Sequence, residues 1–343
     1  MTSAKTLRPR LLITAPFDPA AIERLADLFD VDVAEPSLAG ASLARSELAE
    51  RLAVADAVVC EVDRVDEQAL ESAPALKFVV SCRASPVNVD LPACTRRGIP
   101  VATTPARNAE ITADLAFSLI LSTVRHTSAA ERWMRAGHWT ADDIFEPYAR
   151  FRGIGLGGRT LGILGGGAIG RRVMRRALAF GMDVLVYDPF LAADEFGEQA
   201  DVVDLDVLMS RSDIVTVHVP LHESTVGLIG ADEIALMRPD AYLINAGRAA
   251  VVEEEALLSA LREKRIAGAG LDVFWSEPPA ADAEWLRLDN VTVTPHIGGA
   301  SDDVITEHSR IAERALRAWV EGGQPAAVAN AAELLTASRH AEE

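Results

Sequence analysis

Cysteine is scarce: 343 residues hold three, Cys60, Cys82 and Cys94. Their spacing matches no metal-ligand pattern, so no metal is expected. Their odd number, with an unsignalled N-terminus, points to a reducing cytoplasm. Cationic residues are in deficit, 33 Lys and Arg against 51 Asp and Glu, giving a formal charge of −18. Nucleic acid and anionic membrane would both repel such a chain and are not expected as partners. No apolar run is long enough to cross a bilayer. Met1–Arg10 lacks the apolar core of a secretory signal. The chain shows no internal repeat and no low-complexity tract.

What remains is apolar for 49% of its length, and a chain of this size is expected to form about two domains. One stretch organises it. Leu161–Leu164 reads as a buried strand, and Gly165, Gly167 and Gly170 follow in G-x-G-x-x-G spacing. Ala168–Phe180 then reads as a helix with an apolar stripe. In such a turn the glycines allow a tight bend, close approach of a pyrophosphate, and close packing of helix on strand. The helix start adds unpaired N–H groups and a positive dipole end. A second strand, Asp183–Tyr187, ends at Asp188, near the position expected for a carboxylate that accepts from a ribose 2′-hydroxyl. A ligand-free turn fits the glycines alone, but not the glycines with both strands, the helix and Asp188. An acid at 188 repels a 2′-phosphate. Arg171 and Arg172 lie nearer the pyrophosphate, so the expected cofactor is NAD(H).

Before this unit, short apolar runs at Leu11–Thr14, Val31–Val33, Ala57–Val59, Phe78–Val80 and Val101–Thr103 read as strands. Ala20–Phe29, Leu43–Ala53, Glu67–Ser72 and Leu91–Arg97 read as helices between them. Strand–helix alternation implies a parallel, doubly wound sheet, here without a phosphate-type glycine loop. Asn108–Met134 reads as one long apolar helix buried between domains or subunits. The loop 137–158, with Trp139, Phe145, Tyr148 and Phe151, reads as a subunit contact. After the glycine turn, Ile214–Val219, Ala241–Asn245, Gly268–Asp272 and Val291–Thr294 read as strands. Leu205–Ser210, Ala231–Met237 and Glu253–Lys264 read as helices. Ser301–Val320 is a further helix, with Ser301 as its N-cap, crossing back onto the first unit. The tail from Gly322 is Ala-rich, and its end is expected to fray.

Ligands of open parallel sheets bind beyond the carboxyl ends of the strands. The polar residues there are Asp188, His218, Asn245 with Arg248, Asp272 with Glu277, and His296. An arginine, a carboxylate and a histidine beside a nicotinamide suit one reaction. The arginine binds an anionic substrate and polarises its carbonyl. The histidine exchanges the hydroxyl proton, with a carboxylate behind it. Position does not separate His296 from His218, since both end apolar strands. Arg248 also fits a surface cation, and Glu277 a loop acid.

Several segments in one order resemble the D-isomer-specific 2-hydroxy acid dehydrogenases. They are Pro86–Leu91 with Arg97–Val101, Asn108–Asp114, Gly162–Gly170, His218–Leu221, Ile244–Ala249, Leu271–Pro278 and Thr294–Ala300. The resemblance implies an α/β fold of two doubly wound parallel-sheet domains. A Rossmann NAD-binding domain, 108–297, would be inserted into a flavodoxin-like substrate-binding domain, 1–107 and 298–343. It implies Arg248 on the substrate carboxylate and keto oxygen, His296 as acid/base, and Glu277 paired with His296. It places Gly165, Gly167, Ala168, Ile169, Gly170, Asp188, Pro189, His218, Pro220, Ala246, Asp272 and Gly298 on the cofactor, with Asp272 at the nicotinamide amide. Arg83, Ala84 and Ser85 would lie at the substrate, and the inserted domain would form a homodimer.

The chain departs from the family pattern at Ala84 and Ser85, where glycine is usual, at Ala249 and at Trp275. These changes bear on the substrate rather than the triad. Glu277, where formate oxidation would call for Gln, argues against that reaction. No regulatory domain is expected after residue 330. Arg83 or Arg107 could bind a second anionic group, which keeps open an enzyme for phosphorus-containing acids. A non-catalytic NAD-sensing corepressor is the alternative from another functional class.

Overall fold

The apolar runs are short, mostly three to five residues, and nearly every residue in the central ones is buried. Ala57–Cys60 and Phe78–Ser81 expose nothing on either face. Such strands need a layer on both sides, which a parallel sheet flanked by helices provides. The computed structural model describes residues 8–34, 42–140 and 142–342. The start of the stretch read above against a secretory signal, residues 1–7, lies outside the described residues. The chain divides into two units, Met1–Arg107 with Ser301–Glu343, and Asn108–Ala300.

The first unit runs β1 (Arg10–Ile13), α1 (Pro19–Leu25), β2 (Asp30–Val33), α2 (Arg45–Leu52), β3 (Ala57–Cys60), α3 (Glu67–Glu71), β4 (Phe78–Ser81), α4 (Leu91–Arg96) and β5 (Val101–Thr103). Its strands form a parallel sheet in the order β2-β1-β3-β4-β5. Asp18, Asp66 and Asp90 cap α1, α3 and α4 by accepting backbone N–H groups.

The second unit begins with α5 (Ala109–Val124), α6 (Thr127–Arg135) and α7 (Glu146–Arg150). It continues β6 (Thr160–Leu164), α8 (Ala168–Ala179), β7 (Asp183–Tyr187), β8 (Asp201–Val202), α9 (Leu205–Arg211), β9 (Ile214–Val217), α10 (Ala231–Leu236), β10 (Tyr242–Asn245), α11 (Glu254–Arg262), β11 (Gly268–Leu271) and β12 (Val291–Val293). All seven strands are parallel, in the order β12-β11-β10-β9-β6-β7-β8. The chain winds outward through β7 and β8, then returns to lay β9 on the other side of β6. The order therefore reverses between β6 and β9.

The chain re-enters the first unit with α12 (Asp303–Val320) and α13 (Ala331–Glu342). Trp319 of α12 stacks on Phe78 and Phe29, and Arg24 of α1 grips Glu313 through two nitrogens.

Three expectations need correction. The long helix expected over 108–134 is two helices broken at His126, whose φ is +54°. The last carbonyl of α5, Val124, accepts the N–H of Ile154, and Gly153 passes against it too closely for a side chain. The break thus comes from a distant segment, not from a local helix breaker. The segment 137–158 is not all loop, because it holds α7. The N-cap of α12 is Asp302, one residue after Ser301, although the Ser301 hydroxyl does accept the N–H of Asp303. The start of the tail after Gly322 is tied to the rest of the first unit. Thr103 and Ala329 donate across to Ala327 and Val101, and buried Asn330 ties β5 to α4 before α13 begins.

Candidate active site

Parallel strands send every carboxyl end to one edge. The turns after β6, β7, β9, β10, β11 and β12 therefore gather at one side of the seven-stranded sheet. Gly165 follows β6 with φ +97°, and a side chain there would meet the backbone of His218 and Val219 at 2.9–3.0 Å. The glycine turn and the end of β9 are thus in contact at the point where strand order reverses. Gly170 packs α8 against the carbonyl of Gly165 with no room for a Cβ, whereas a Cβ on Gly167 would point into open space. Gly167 starts α8, and no side chain caps it. Ala168 is exposed and Ile169 is half-buried, and the first-turn N–H groups of a helix have no partner within it. Asp188 ends β7 and turns back to the loop: it accepts the N–H of Gly166 at 3.0 Å and of Phe190 at 3.1 Å. Pro189 and Pro220 are exposed, and Ala246 is buried. This cradle fits a dinucleotide: a bare helix start, an open glycine, and a carboxylate at the next strand end.

Arginines 171 and 172 are engaged elsewhere. Arg171 pairs with Glu195 at 2.6 Å and lies over the Phe196 ring. Arg172 pairs with Glu110 at 2.7 Å and donates to the carbonyl of Ala168.

The two histidines differ sharply. His218 Nε2 lies 3.0 Å from Thr216 Oγ1, and Nδ1 is buried without a hydrogen-bond partner. The residue as a whole is only partly buried, but desolvation of its ring pulls the pKa down to about 4. His296 is exposed and holds φ +51°. Its Nδ1 meets Glu277 Oε2 at 2.7 Å, while Glu277 Oε1 accepts the N–H of Phe274 at 3.0 Å. Burial works against ionisation of Glu277. The hydrogen bonds from His296 and Phe274, and the fields of His296 and Arg248, outweigh it and hold its pKa below the usual carboxylate range. Arg248 leaves β10 on a turn that Asn245 shapes, donating to the Arg248 carbonyl and accepting the N–H of Gly247. The guanidinium is exposed and donates to the Gly247 carbonyl. Arg248, Glu277 and His296 thus come together at one electrostatic centre.

Asp272 is placed differently. It is fully buried, and both carboxylate oxygens accept from the 294–298 loop: Oδ1 from Thr294 Oγ1 and the N–H of Ile297, Oδ2 from the N–H of Gly298. Sequence reasoning missed this inward use, and gave Thr294, though inside the Thr294–Ala300 segment, no role. Trp275, one of the departures, is packed away: its indole donates to the Val252 carbonyl and its ring stacks on Trp285.

Residues 117–298, just over half of the chain, match the model of the D-isomer specific 2-hydroxyacid dehydrogenase NAD binding domain. The chain belongs to the D-isomer specific 2-hydroxyacid dehydrogenase family. Similarity to this dehydrogenase family extends over the whole fold. The Bacillus subtilis (strain 168) protein YoaD, which bears a 2-hydroxyacid dehydrogenase name, is 39% identical over 314 residues, 90% of each chain. A glyoxylate reductase of Thermococcus litoralis is 37% identical over 336 residues, 97% of this chain and 99% of its own. Among solved structures, the NADPH-dependent glyoxylate/hydroxypyruvate reductase of Sinorhizobium meliloti in complex with citrate superposes with a TM-score of 0.74. It is 30% identical and is matched over 95% of this chain and 99% of its own. As a 2-hydroxyacid dehydrogenase the chain is an oxidoreductase that uses a nicotinamide cofactor.

In the first unit, Ala84 and Ser85 are exposed and Arg83 is half-buried. Arg83 donates its Nε–H to the Glu61 carbonyl at 2.6 Å, and Arg107 pairs with the Glu61 carboxylate at 2.6 Å. Arg107 also donates to His308 Nδ1, which leaves Nε2 to donate to the Pro16 carbonyl.

Proposed function

We propose that this dehydrogenase interconverts a small D-2-hydroxy acid and its 2-keto acid with NAD(H). The bound nicotinamide supplies or accepts the hydride at C4. Arg248 would hold the substrate carboxylate and polarise the keto oxygen. His296 would give its proton to that oxygen in reduction and take it back in oxidation. With Nδ1–H donated to Glu277, Nε2 is the nitrogen left to exchange the proton. Glu277 fixes the ring and faces the charge the imidazole carries when it holds the proton. The observation that carries the reading is the 2.7 Å contact between His296 and Glu277 beside Arg248. His218, with Nδ1 buried and its pKa at about 4, is ill suited to the acid role.

The glycine turn, Ala168, Ile169, Asp188, Pro189, His218, Pro220, Ala246 and Gly298 would line the dinucleotide. Asp188 supports NAD(H) over NADP(H), because a carboxylate accepts from a free 2′-hydroxyl and repels a phosphate. Arg171 and Arg172 are already paired with acids. Backbone N–H groups at Ala84 and Ser85 would hold the substrate, the domain 1–107 and 298–343 acting on substrate and 108–297 on cofactor. Glu61 engages both Arg83 and Arg107, which favours a simple keto acid over one with a second anionic group. Exposed Trp139, Phe145 and Tyr148 support a homodimer contact, and three buried, unpaired thiols suit the cytoplasm.

The test is loss of NADH or NADPH absorbance with a panel of glyoxylate, hydroxypyruvate, pyruvate and a phosphorylated 2-keto acid. Turnover with NADH and the small acids is expected, and Arg248→Ala should cost on the order of 10²–10³-fold in kcat/KM. A preference for NADPH or for the phosphorylated acid would overturn those parts of the reading.

A further inference from the structure

Arg248 and Glu277 stand on different loops, and a structural tie must fix one against the other. Arg248 is on the connection from β10 to α11, and Glu277 on the connection from β11 to β12. That second connection is long, and its residues 276–282 are mostly exposed. Glu277 has its own bonds to Phe274 and His296, but neither reaches the turn that carries Arg248. Trp275 does reach it. Its indole N–H donates to the Val252 carbonyl at 2.8 Å. Val252 follows Arg248 after one short helical turn, Ala249–Val251, in which the Arg248 carbonyl accepts the N–H of Val251. A second indole backs the first. Trp285 stacks on Trp275 with ring centroids 5.1 Å apart and planes inclined by 19°. Trp285 is buried, and its N–H donates to Glu254 Oε1 in the first turn of α11 at 3.1 Å. Glu284, next to it, accepts two nitrogens of Arg262 at the far end of α11, each at 2.9 Å. The exposed stretch around Glu277 is thus seamed at both ends to the segment that follows Arg248.

We infer that Trp275 is a positioning residue for Glu277. It fixes the loop that carries the carboxylate against the turn that carries Arg248, so that Glu277 meets His296 at a set place. The inference rests on the acid/base reading of His296 and Glu277. Both parts of the indole are needed. The ring face supplies the stack on Trp285, and the N–H supplies the bond to Val252. Phenylalanine would keep the first and leave the carbonyl of a buried residue without that donor. Leucine would keep neither.

The experiment compares Trp275→Phe, Trp275→Leu, Glu277→Gln and each Trp275 variant combined with Glu277→Gln, with His296→Ala alongside. Three readouts are taken: kcat and KM with a 2-keto acid at saturating NADH, the NADH Kd by fluorescence, and amide hydrogen exchange at Phe274 in the cofactor-free protein. The Phe274 N–H is held by Glu277 itself, so its exchange reports where the carboxylate lies without any turnover. It should quicken in both Trp275 variants. Misplacing a group at the reacting centre by about 1 Å costs roughly a hundredfold. Trp275→Leu is therefore expected to lose about a hundredfold in kcat, and Trp275→Phe, which keeps the stack, about tenfold. NADH Kd should stay within about twofold. Because Trp275 acts through Glu277, each double variant should lose no more than Glu277→Gln alone, to within about twofold. A side chain with an independent effect would instead multiply the losses. If Trp275→Leu fails to fold, Trp275→Phe and its double variant decide alone. Native kcat in Trp275→Phe overturns the inference, as do multiplied losses in the double variants or a defect confined to NADH affinity. Native turnover in His296→Ala or Glu277→Gln would instead sink the acid/base reading on which the inference rests.

Discussion

At the scale of single residues, the two strand-end histidines show how environment assigns a role. Both follow short apolar strands, and spacing alone does not choose between them. His296 lies beside a carboxylate and is exposed, whereas the His218 ring is shut off from solvent with one nitrogen unpartnered. The depressed pKa of His218 has a consequence for stability. Its folded value is about 4 against an ordinary 6.5. Between those values the unfolded chain binds the proton and the folded chain does not, so the stabilisation is complete above 6.5 and is lost as pH falls toward 4. Thermal unfolding of the wild type and of His218→Gln should show it. The wild type should lose more of its midpoint between neutral pH and about pH 4 than the variant does. Parallel losses would show that another group sets the acid limb.

At the scale of elements, the glycine turn is the tightest constraint in the second unit. A Cβ on Gly170 would fall on the carbonyl oxygen of Gly165, which is backbone and cannot swing aside. Gly170→Ala is expected to cost about 1–3 kcal/mol of stability and to weaken NADH binding, because α8 must move off β6. Denaturant unfolding and a fluorescence titration measure both, and a variant native in both respects would contradict this account of the turn. Elements of this kind were readable in advance because their residues carry their own instructions: apolar runs for strands, glycines after β6. What was not readable depends on distant chain. The break at His126 has neither glycine nor proline, and is imposed from Gly153 and Ile154. The two-residue β8 is too short for any periodicity, and α13 follows a tail that is held by bonds of Ala327, Ala329 and Asn330 to β5 and α4. In the site, polar residues at strand ends were legible because parallel strands share one carboxyl edge. The inward turn of Asp272 was not, since nothing in Leu271–Pro278 says which acid is buried.

At the scale of the whole molecule, a seven-stranded parallel sheet concentrates its chemistry at one edge. The glycine turn, Asp188, Arg248, Glu277 and His296 all leave the carboxyl ends of its strands. The fold thus brings to one place a dinucleotide cradle, an exposed guanidinium and a carboxylate-backed imidazole. The most direct test is reduction of pyruvate with NADH carrying deuterium at both C4 positions, comparing the wild type with His296→Ala. The account predicts D-lactate carrying deuterium at C2 from the wild type, and a loss on the order of 10²–10⁴-fold in the variant. Near-native turnover by His296→Ala, or a product without deuterium, would contradict it.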